Sequence, residues 1–235
     1  LSGREQLIKV IQLARSDSRN FLLEPECDEV LRAYGIPVVD SFFAKTPEEA
    51  VKASEKLGFP LVEKVVSPDV LHKSDVGGVK VGISNPDEVA KAFTEIESAV
   101  KSANPKARFY GVYLQKMLRG GVETIVGGTR DPQFGPVVVF GLGGIFVEIL
   151  KDVSFRVAPL SEDDAIEMMN EIKAAAILNG VRGSKPVDKV ALARIIVSVG
   201  ALMAENKEIS SLDLNPVMAT PDGAVAVDSR IILGD

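Results

Sequence analysis

Three groups of side chains in this 235-residue chain have types and spacings that could do chemistry. The first is a single residue. His72 is the only histidine, and it lies in "VVSPDVLHKSDVGGVKVG" (65–82), directly after an apolar run. Ser67, Pro68, Asp69, Ser74, Asp75, Gly77 and Gly78 surround it, residues that favour turns and loops over a packed strand. A neutral imidazole nitrogen is nucleophilic near pH 7 and can accept and release a group without a separate base. The competing reading is a surface histidine with no role. The second group is Lys64, inside the apolar run "PLVEKVV" (60–66). Lysine rarely goes inside unpaired. Here it is either a cation aimed at a phosphate or an edge lysine snorkelling to solvent.

The third group sits in the last two apolar runs, "SLDLNPVMA" (211–219) and "GAVAVDSRIIL" (223–233). Asp213 and Asn215 alternate to one face of a strand, Leu212 and Leu214 to the other. Thr220-Pro221-Asp222-Gly223 is a strong turn signal, and it folds the second run back on the first. Antiparallel pairing then sets 213–215 beside roughly 228–230, so Asp213, Asn215 and Asp228 converge. Hard oxygen donors without histidine or thiolate suit Mg²⁺, and a small protein set suits a magnesium that also holds phosphates. A solvated polar face is the alternative, with Arg230 offering Asp213 a partner. Two weaker signals remain. "FGLGGIFVEIL" (140–150) reads as a glycine turn into a short apolar helix, either an anion site or a tight bend. Glu123 is the only acid in the run 121–130, where a carboxylate after a hinge strand could hold a ribose.

The elements that must position these groups have readable ends. Thr46-Pro47-Glu48-Glu49 reads as a capping box opening a helix that stops at Gly58, and Asn85-Pro86-Asp87-Glu88 repeats the device. Behind it Val89, Phe93, Ile96 and Val100 recur at helical spacing. Ser161 opens a third helix with Ile166, Met169 and Ile172 inward; a fourth, apolar nearly all round, is expected over 186–206. The opening "LSGREQLIKVIQLARS" is amphipathic. Strands are expected at 36–44, 60–66, 78–83, 108–117, 121–130, 135–141, 154–159, 211–219 and 223–233, with 127–136 as a long hairpin loop. "QKMLRGG" interrupts two strands near Tyr113–Gly121. The expected organisation is therefore a helical segment over 1–22, one lobe over 23–112 and a second over 113–235, an α+β chain of two lobes sharing a hinge. No G-x-G-x-x-G follows the first strand and no Walker sequence is present, which argues against a doubly wound nucleotide fold.

Composition narrows the classes. The balance of 27 basic and 33 acidic residues gives a net charge of −6 with no basic block, which speaks against nucleic acid as a partner. Tryptophan is absent, and aromatic residues make up 6%. Cys27 is alone, so no disulfide framework or thiolate metal site is expected, and a reducing cytoplasm is the simplest setting. No apolar run reaches membrane-spanning length.

Taken together, "LRAYGIPV", "KVVSPDVLHKSDVGGVKVG", "GGTRDPQFGPVVVFGLGGIFVEILKDVSFRVAPL" and "LDLNPV" resemble the ATP-grasp fold, and within it the β subunit of ADP-forming acetyl-CoA (acyl-CoA) synthetases, relatives of the succinyl-CoA synthetase β subunit. The resemblance runs from about Glu24 to Ile232. It implies two α+β lobes with ATP or ADP held between them. It implies that Lys64 touches nucleotide phosphates, that Gln115, Lys116 and Met117 form the hinge that reads adenine, and that Glu123 binds ribose. It implies Mg²⁺ at Asp213, Asn215 and Asp228, with Asp213 standing where many ATP-grasp proteins have glutamate. It implies that His72 carries a phosphoryl group; Asp69 and Asp75, both in the same loop, are the two acids placed to orient its ring, and the sequence does not choose between them. The coenzyme A site is missing from this sequence; the resemblance assigns it and the acyl site to an α subunit or a fused segment, with two α and two β chains expected. An apolar surface patch should then mark the docking face. Two other readings are a carboxylate–amine ligase, which needs no histidine carrier, and a non-catalytic nucleotide-sensing module.

Overall fold

The computed structural model describes residues 2–70, 72–144, 149–181 and 183–234. The chain divides into two compact units. The smaller holds residues 23–25 and 39–119, the larger residues 1–22, 26–38 and 120–235. The expected lobe break at 112/113 moves to 119/120, because Gly111–Lys116 form an interior strand of the smaller unit's sheet. The 1–22 segment is not separate either: Leu7, Val10, Ile11 and Ala14 join the larger unit's core, and the Leu22 N–H donates to the Ile231 carbonyl at 3.0 Å.

In the smaller unit the elements run β1 (Ser41–Ala44), α3 (Pro47–Leu57), β2 (Leu61–Val66), β3 (Val79–Ile83), α4 (Pro86–Ala103) and β4 (Gly111–Lys116). The helices start where the capping residues place them. The Thr46 hydroxyl accepts the Glu49 N–H at 3.2 Å, and the Asn85 side chain accepts the Glu88 N–H at 3.0 Å. Neither closes as a full capping box. Glu49 and Glu88 reach one residue further back, to the N–H groups of Lys45 and Ser84, both at 2.7 Å. The sheet order is β1-β4-β2-β3, antiparallel throughout. Leu61, Val65, Val112 and Leu114 pack there with Ala50, Val89, Phe93 and Ile96 of the helices.

That core contains one acid. Glu63 lies on the same side of β2 as Leu61 and Val65, is fully buried, and neither of its carboxyl oxygens has a hydrogen-bond partner. Its cross-strand neighbour Lys80 pairs instead with Glu95 at 2.7 Å. Burial pushes the Glu63 carboxyl from 4.5 up to about 8. The folded protein therefore holds a proton that the unfolded chain releases. Stability is intact below pH 4.5 and falls as pH rises toward 8. At pH 7 the loss is about 3 kcal/mol, at roughly 1.4 kcal/mol per pH unit. Glu63→Gln should remove this dependence: urea unfolding at pH 5 and pH 8 should differ less for the variant than for wild type by about 3 kcal/mol. Equal pH dependence in both would show that Glu63 is ionised in the fold.

In the larger unit α1 (Gly3–Ser16) and α2 (Glu24–Ala33, its first two residues in the smaller unit) precede β5 (Val122–Asp131), β6 (Gly135–Leu142), β7 (Val153–Val157), α5 (Glu162–Glu171), α6 (Lys189–Glu205), β8 (Ile209–Thr220), β9 (Gly223–Ala226) and β10 (Ser229–Leu233). The six strands are ordered β10-β8-β5-β6-β7, with β9 also paired to β8. Val126, Val138, Phe140, Leu212 and Leu214 meet Met168, Leu192, Ile196 and Leu7 in one core. Phe155 and Val157 are exposed on β7, an edge strand. Among the described residues no helix is long and apolar enough to cross a membrane.

Three sequence expectations change here. The long loop at 127–136 is mostly strand: β5 runs to Asp131, whose carboxylate accepts the Gln133 and Phe134 N–H groups at 2.7 and 2.9 Å, leaving 132–134 as the turn. The fourth helix begins at Lys189, because the Asp188 side chain caps it by accepting the Ala191 N–H at 2.9 Å. The run 223–233 is two strands, broken at Val227–Asp228 opposite Pro216, which has no N–H to continue the ladder. The expected helix in 140–150 falls largely on 145–148, outside the described residues.

Candidate functional site

β2 is an interior strand, so Lys64 is not an edge lysine. It is buried, and its ammonium donates to Glu24 Oε1 at 2.6 Å. The other oxygen of the same carboxylate, Oε2, accepts from the ammonium of Lys73. One buried carboxylate thus serves two lysines. Burial alone would raise the Glu24 carboxyl; Lys73 and Lys64 together hold it below the ordinary carboxylate range. The cluster gathers two ammonium groups, the kind of cation that pairs with phosphate.

Lys73 follows His72 in the chain, so this cluster also fixes the histidine's segment. His72 is exposed, and its carbonyl accepts the Asp75 N–H at 3.2 Å at the start of a short 3₁₀ turn, Ser74–Val76. At the near end of the segment Asp69 is held by Arg108 through the backbone N–H at 2.8 Å, Nε at 3.0 Å and Nη2 at 2.9 Å. These bonds lower the Asp69 carboxyl below its usual range. Asp69 is thus an anchor of the segment's base, which leaves Asp75 as the acid that shares the turn with His72. At the far end Gly77 takes a left-handed φ of +71°, and the Gly78 N–H donates to the Lys73 carbonyl at 2.8 Å while its carbonyl accepts the Val65 N–H at 2.7 Å. A Cβ on Gly78 would stand 2.6 Å from Val65 Cγ1, so only glycine fits this close approach.

At the end of β4, Gln115 is buried while Lys116 is exposed. The Lys116 N–H donates to the Asp40 carbonyl and the Met117 N–H to the Pro60 carbonyl, both at 3.0 Å. Two of the expected hinge amides are therefore committed to the sheet, and base reading would fall to the hinge carbonyls and to the amides after Met117.

The other sequence-predicted residues lie in the larger unit. Glu123 is exposed on β5, its carbonyl accepting the Gly143 N–H at 2.8 Å. Asp213 and Asn215 are exposed on β8, and their alternating neighbours Leu212 and Leu214 are buried. β10 pairs Ser229 with Leu214 and Arg230 with Asp213, and the Asn215 N–H donates to the Asp228 carbonyl at 3.1 Å. The backbone pairing thus sets Asn215 beside Asp228 and Asp213 opposite Arg230, all on neighbouring strands. Surrounding protein pushes the Asp213 carboxyl up, with the charge of Arg230 pulling the other way. Among the described residues no three His, Cys, Asp or Glu side chains gather as a metal cage. Two carboxylates and a carboxamide fit a hard divalent cation that takes its remaining ligands from water and phosphate.

Glu24 and Lys73 went unnoticed in the sequence. The signal was present in part: a lysine inside an apolar strand demands a buried carboxylate. Nothing local points to Glu24, which is distant in sequence and opens α2.

Comparison with known proteins places this geometry. Residues 13–233 match the family model described as an ATP-grasp domain. The chain is 54% identical over 225 residues to the β subunit of Acetate–CoA ligase [ADP-forming] I of Pyrococcus furiosus, covering 96% of this chain and 97% of that one. The solved acetyl-coenzyme A synthetase 1 of Ca. Korarchaeum cryptofilum, in complex with coenzyme A and Ca-AMPCP, superposes with a TM-score of 0.93 at 51% identity, over 99% of this chain and 100% of that one. A second structure of that synthetase, with coenzyme A and Mg-AMPPCP, has its phosphohistidine segment pointing towards the nucleotide binding site; it matches at TM-score 0.86 and 48% identity, over 99% and 100% of the two chains. With this match over nearly its full length, the chain belongs to the ATP-grasp family and, within it, to the β subunits of ADP-forming acetate–CoA ligases.

Proposed function

We propose that this chain is the nucleotide-binding β subunit of an ADP-forming acyl-CoA ligase and that it moves a phosphoryl group between His72 and ADP. The observation that carries the reading is the arrangement in the smaller unit: an exposed histidine whose chain neighbour shares one buried carboxylate with the strand lysine. A carboxylate–amine ligase has no use for such a histidine. A nucleotide-sensing module has no use for a carrier on an exposed segment.

In the direction of ATP formation, a terminal oxygen of ADP attacks phosphorus on the His72 ring. The N–P bond breaks, a P–O bond forms, and the imidazole leaves as the neutral base after taking up a proton. Lys64 offsets charge on the phosphates, the hinge at Gln115, Lys116 and Met117 holds the base, and Glu123 takes the ribose. Asp213, Asn215 and Asp228 would hold Mg²⁺, which supplies charge neutralisation between the transferring phosphates. The sum is acyl-CoA, ADP and phosphate giving acid, ATP and coenzyme A, reversibly. The acyl and coenzyme A chemistry belongs to a partner α subunit, in a complex of two α and two β chains working in the cytoplasm. The exposed Phe155 and Val157 are side chains of the kind a docking face needs.

The test is reconstitution. The purified chain alone should bind Mg-ATP and form no acyl-CoA, whereas addition of the α subunit should restore ATP-dependent acyl-CoA synthesis. Synthesis by the chain alone would overturn the division of labour.

A further inference from the structure

The core of the smaller unit holds an acid that the reaction just described does not use. Glu63 is 0% exposed on β2, and neither of its carboxyl oxygens has a hydrogen-bond partner. An unpaired buried polar group costs stability, so an apolar side chain would serve this core better. The helices packed there bring no counter-charge. The buried side of α3 is Ala50, Ala53 and Ser54, whose hydroxyl donates to the Val51 carbonyl at 2.7 Å. That of α4 is Val89, Ala92, Phe93, Ile96 and Val100. Glu48, Glu49, Lys52, Glu55 and Lys56 of α3 are exposed, as are Asp87, Glu88, Lys91, Glu95 and Lys101 of α4. Glu97, half-buried, is taken by Lys101 at 2.6 Å. On β4 the residue opposite Glu63 is Leu114.

On β3 it is a cation. Lys80 stands directly across from Glu63 in the register, and opposed residues of antiparallel strands share a face with Cβ atoms about 5 Å apart. The Lys80 ammonium turns outward instead, to Glu95 Oε2 of α4 at 2.7 Å. That pair is weakly held, since its side chains are 39% and 43% exposed. Glu95 also has a second lysine: Lys91, four residues back on α4, approaches Oε1 at 3.7 Å. Losing Lys80 would therefore leave Glu95 neither buried nor alone.

We infer that Glu63, on losing its proton, captures Lys80 from Glu95, so that one proton decides whether the β3 edge is tied to α4 or to the interior side of β2. The charges balance: the carboxyl releases one proton to solvent, the carboxylate gains one ammonium, and Glu95 keeps Lys91. A bare carboxylate in this core is costly, and a lysine brought beside it offsets much of that cost. With Glu63 protonated, Lys80 bridges β3 to α4. With Glu63 ionised, the bridge opens and the lysine stem folds back across β2. The capture also limits how far stability falls at alkaline pH, because it favours the ionised form in the folded protein. β2 carries Lys64 as its next residue, so the exchange acts on the strand that holds that cation. None of this depends on the function proposed above.

Carboxyl-carbon NMR of the full chain, labelled with ¹³C at glutamate Cδ, tests the exchange across about pH 5 to 9.5, below the ordinary lysine range. The Glu63 resonance is the one missing from Glu63→Gln. In wild type the Glu95 resonance should shift with the same midpoint as Glu63, because Glu95 loses Lys80 there; in Glu63→Gln that shift should vanish. Lys80→Met should raise the Glu63 midpoint by at least about one pH unit, a tenfold change in the proton equilibrium. Glu95→Gln, which frees Lys80, should lower it. The double variant Lys80→Met/Glu95→Gln should titrate as Lys80→Met does, since Glu95 acts through Lys80. Both substituted side chains are partly exposed and leave the core untouched. A Glu95 resonance that stays still while Glu63 titrates overturns the exchange. So does a Glu63 that does not titrate in wild type, or a Lys80→Met midpoint raised by less than one unit. A double variant lowered from Lys80→Met as far as Glu95→Gln is lowered from wild type also overturns it, by showing that Glu95 acts through its own field.

Discussion

His72→Ala, reconstituted with its α partner, should lose acyl-CoA synthesis by at least ~10³-fold and fold as wild type does. Removing a covalent carrier leaves no slower version of the same route, because no other side chain in the chain offers an imidazole. The fold should be untouched because His72 is exposed and the segment uses only its carbonyl, which accepts the Asp75 N–H and survives in alanine. The measurement is incubation with γ-labelled Mg-ATP and mapping of the label. Acid-labile, alkali-stable phosphate on His72, absent from the variant, is the expected result. A fully active His72→Ala enzyme would end the carrier hypothesis.

Asp228→Ala should lower ATP synthesis by on the order of 10²-fold or more, again with the fold intact. The ladder bond at this point comes from the Asp228 carbonyl to the Asn215 N–H, so the side chain can be removed without unzipping β8 from β10. One local cost is the bond from the Ser229 N–H to Asp228 Oδ1, about 1 kcal/mol. The loss should appear in turnover at saturating nucleotide and be partly recovered by raising Mg²⁺. Normal turnover at ordinary Mg²⁺ would mean that Asp228 holds no metal and that the hairpin presents only a polar face.

Much of this was readable in the chain, for definable reasons. Alternation set the faces of 212–215, and a two-residue turn set the register that brings 228–230 to them. Helix starts were legible because Thr46, Asn85 and Ser161 are caps whose bonds are local. What escaped depends on partners far apart in sequence. The Glu24 pairing spans 40 residues to Lys64 and 49 to Lys73. The break at Val227–Asp228 depends on Pro216 across the ladder. Glu63 carries no sequence signal of its own, and only the helices packed on that side of β2 reveal that it is sealed in.

The smaller unit is not one continuous piece of chain. Residues 39–119 make its sheet and helices, and 23–25 return to it from outside that stretch. Those three residues include Glu24, whose carboxylate Lys64 and Lys73 share. A fragment cut at residue 39 for expression or domain grafting would inherit every residue of the histidine segment yet lose the buried carboxylate that Lys64 and Lys73 share. Transplanting this lobe into another protein therefore requires carrying a tripeptide from elsewhere in the chain, and boundaries drawn on sequence continuity alone would discard it.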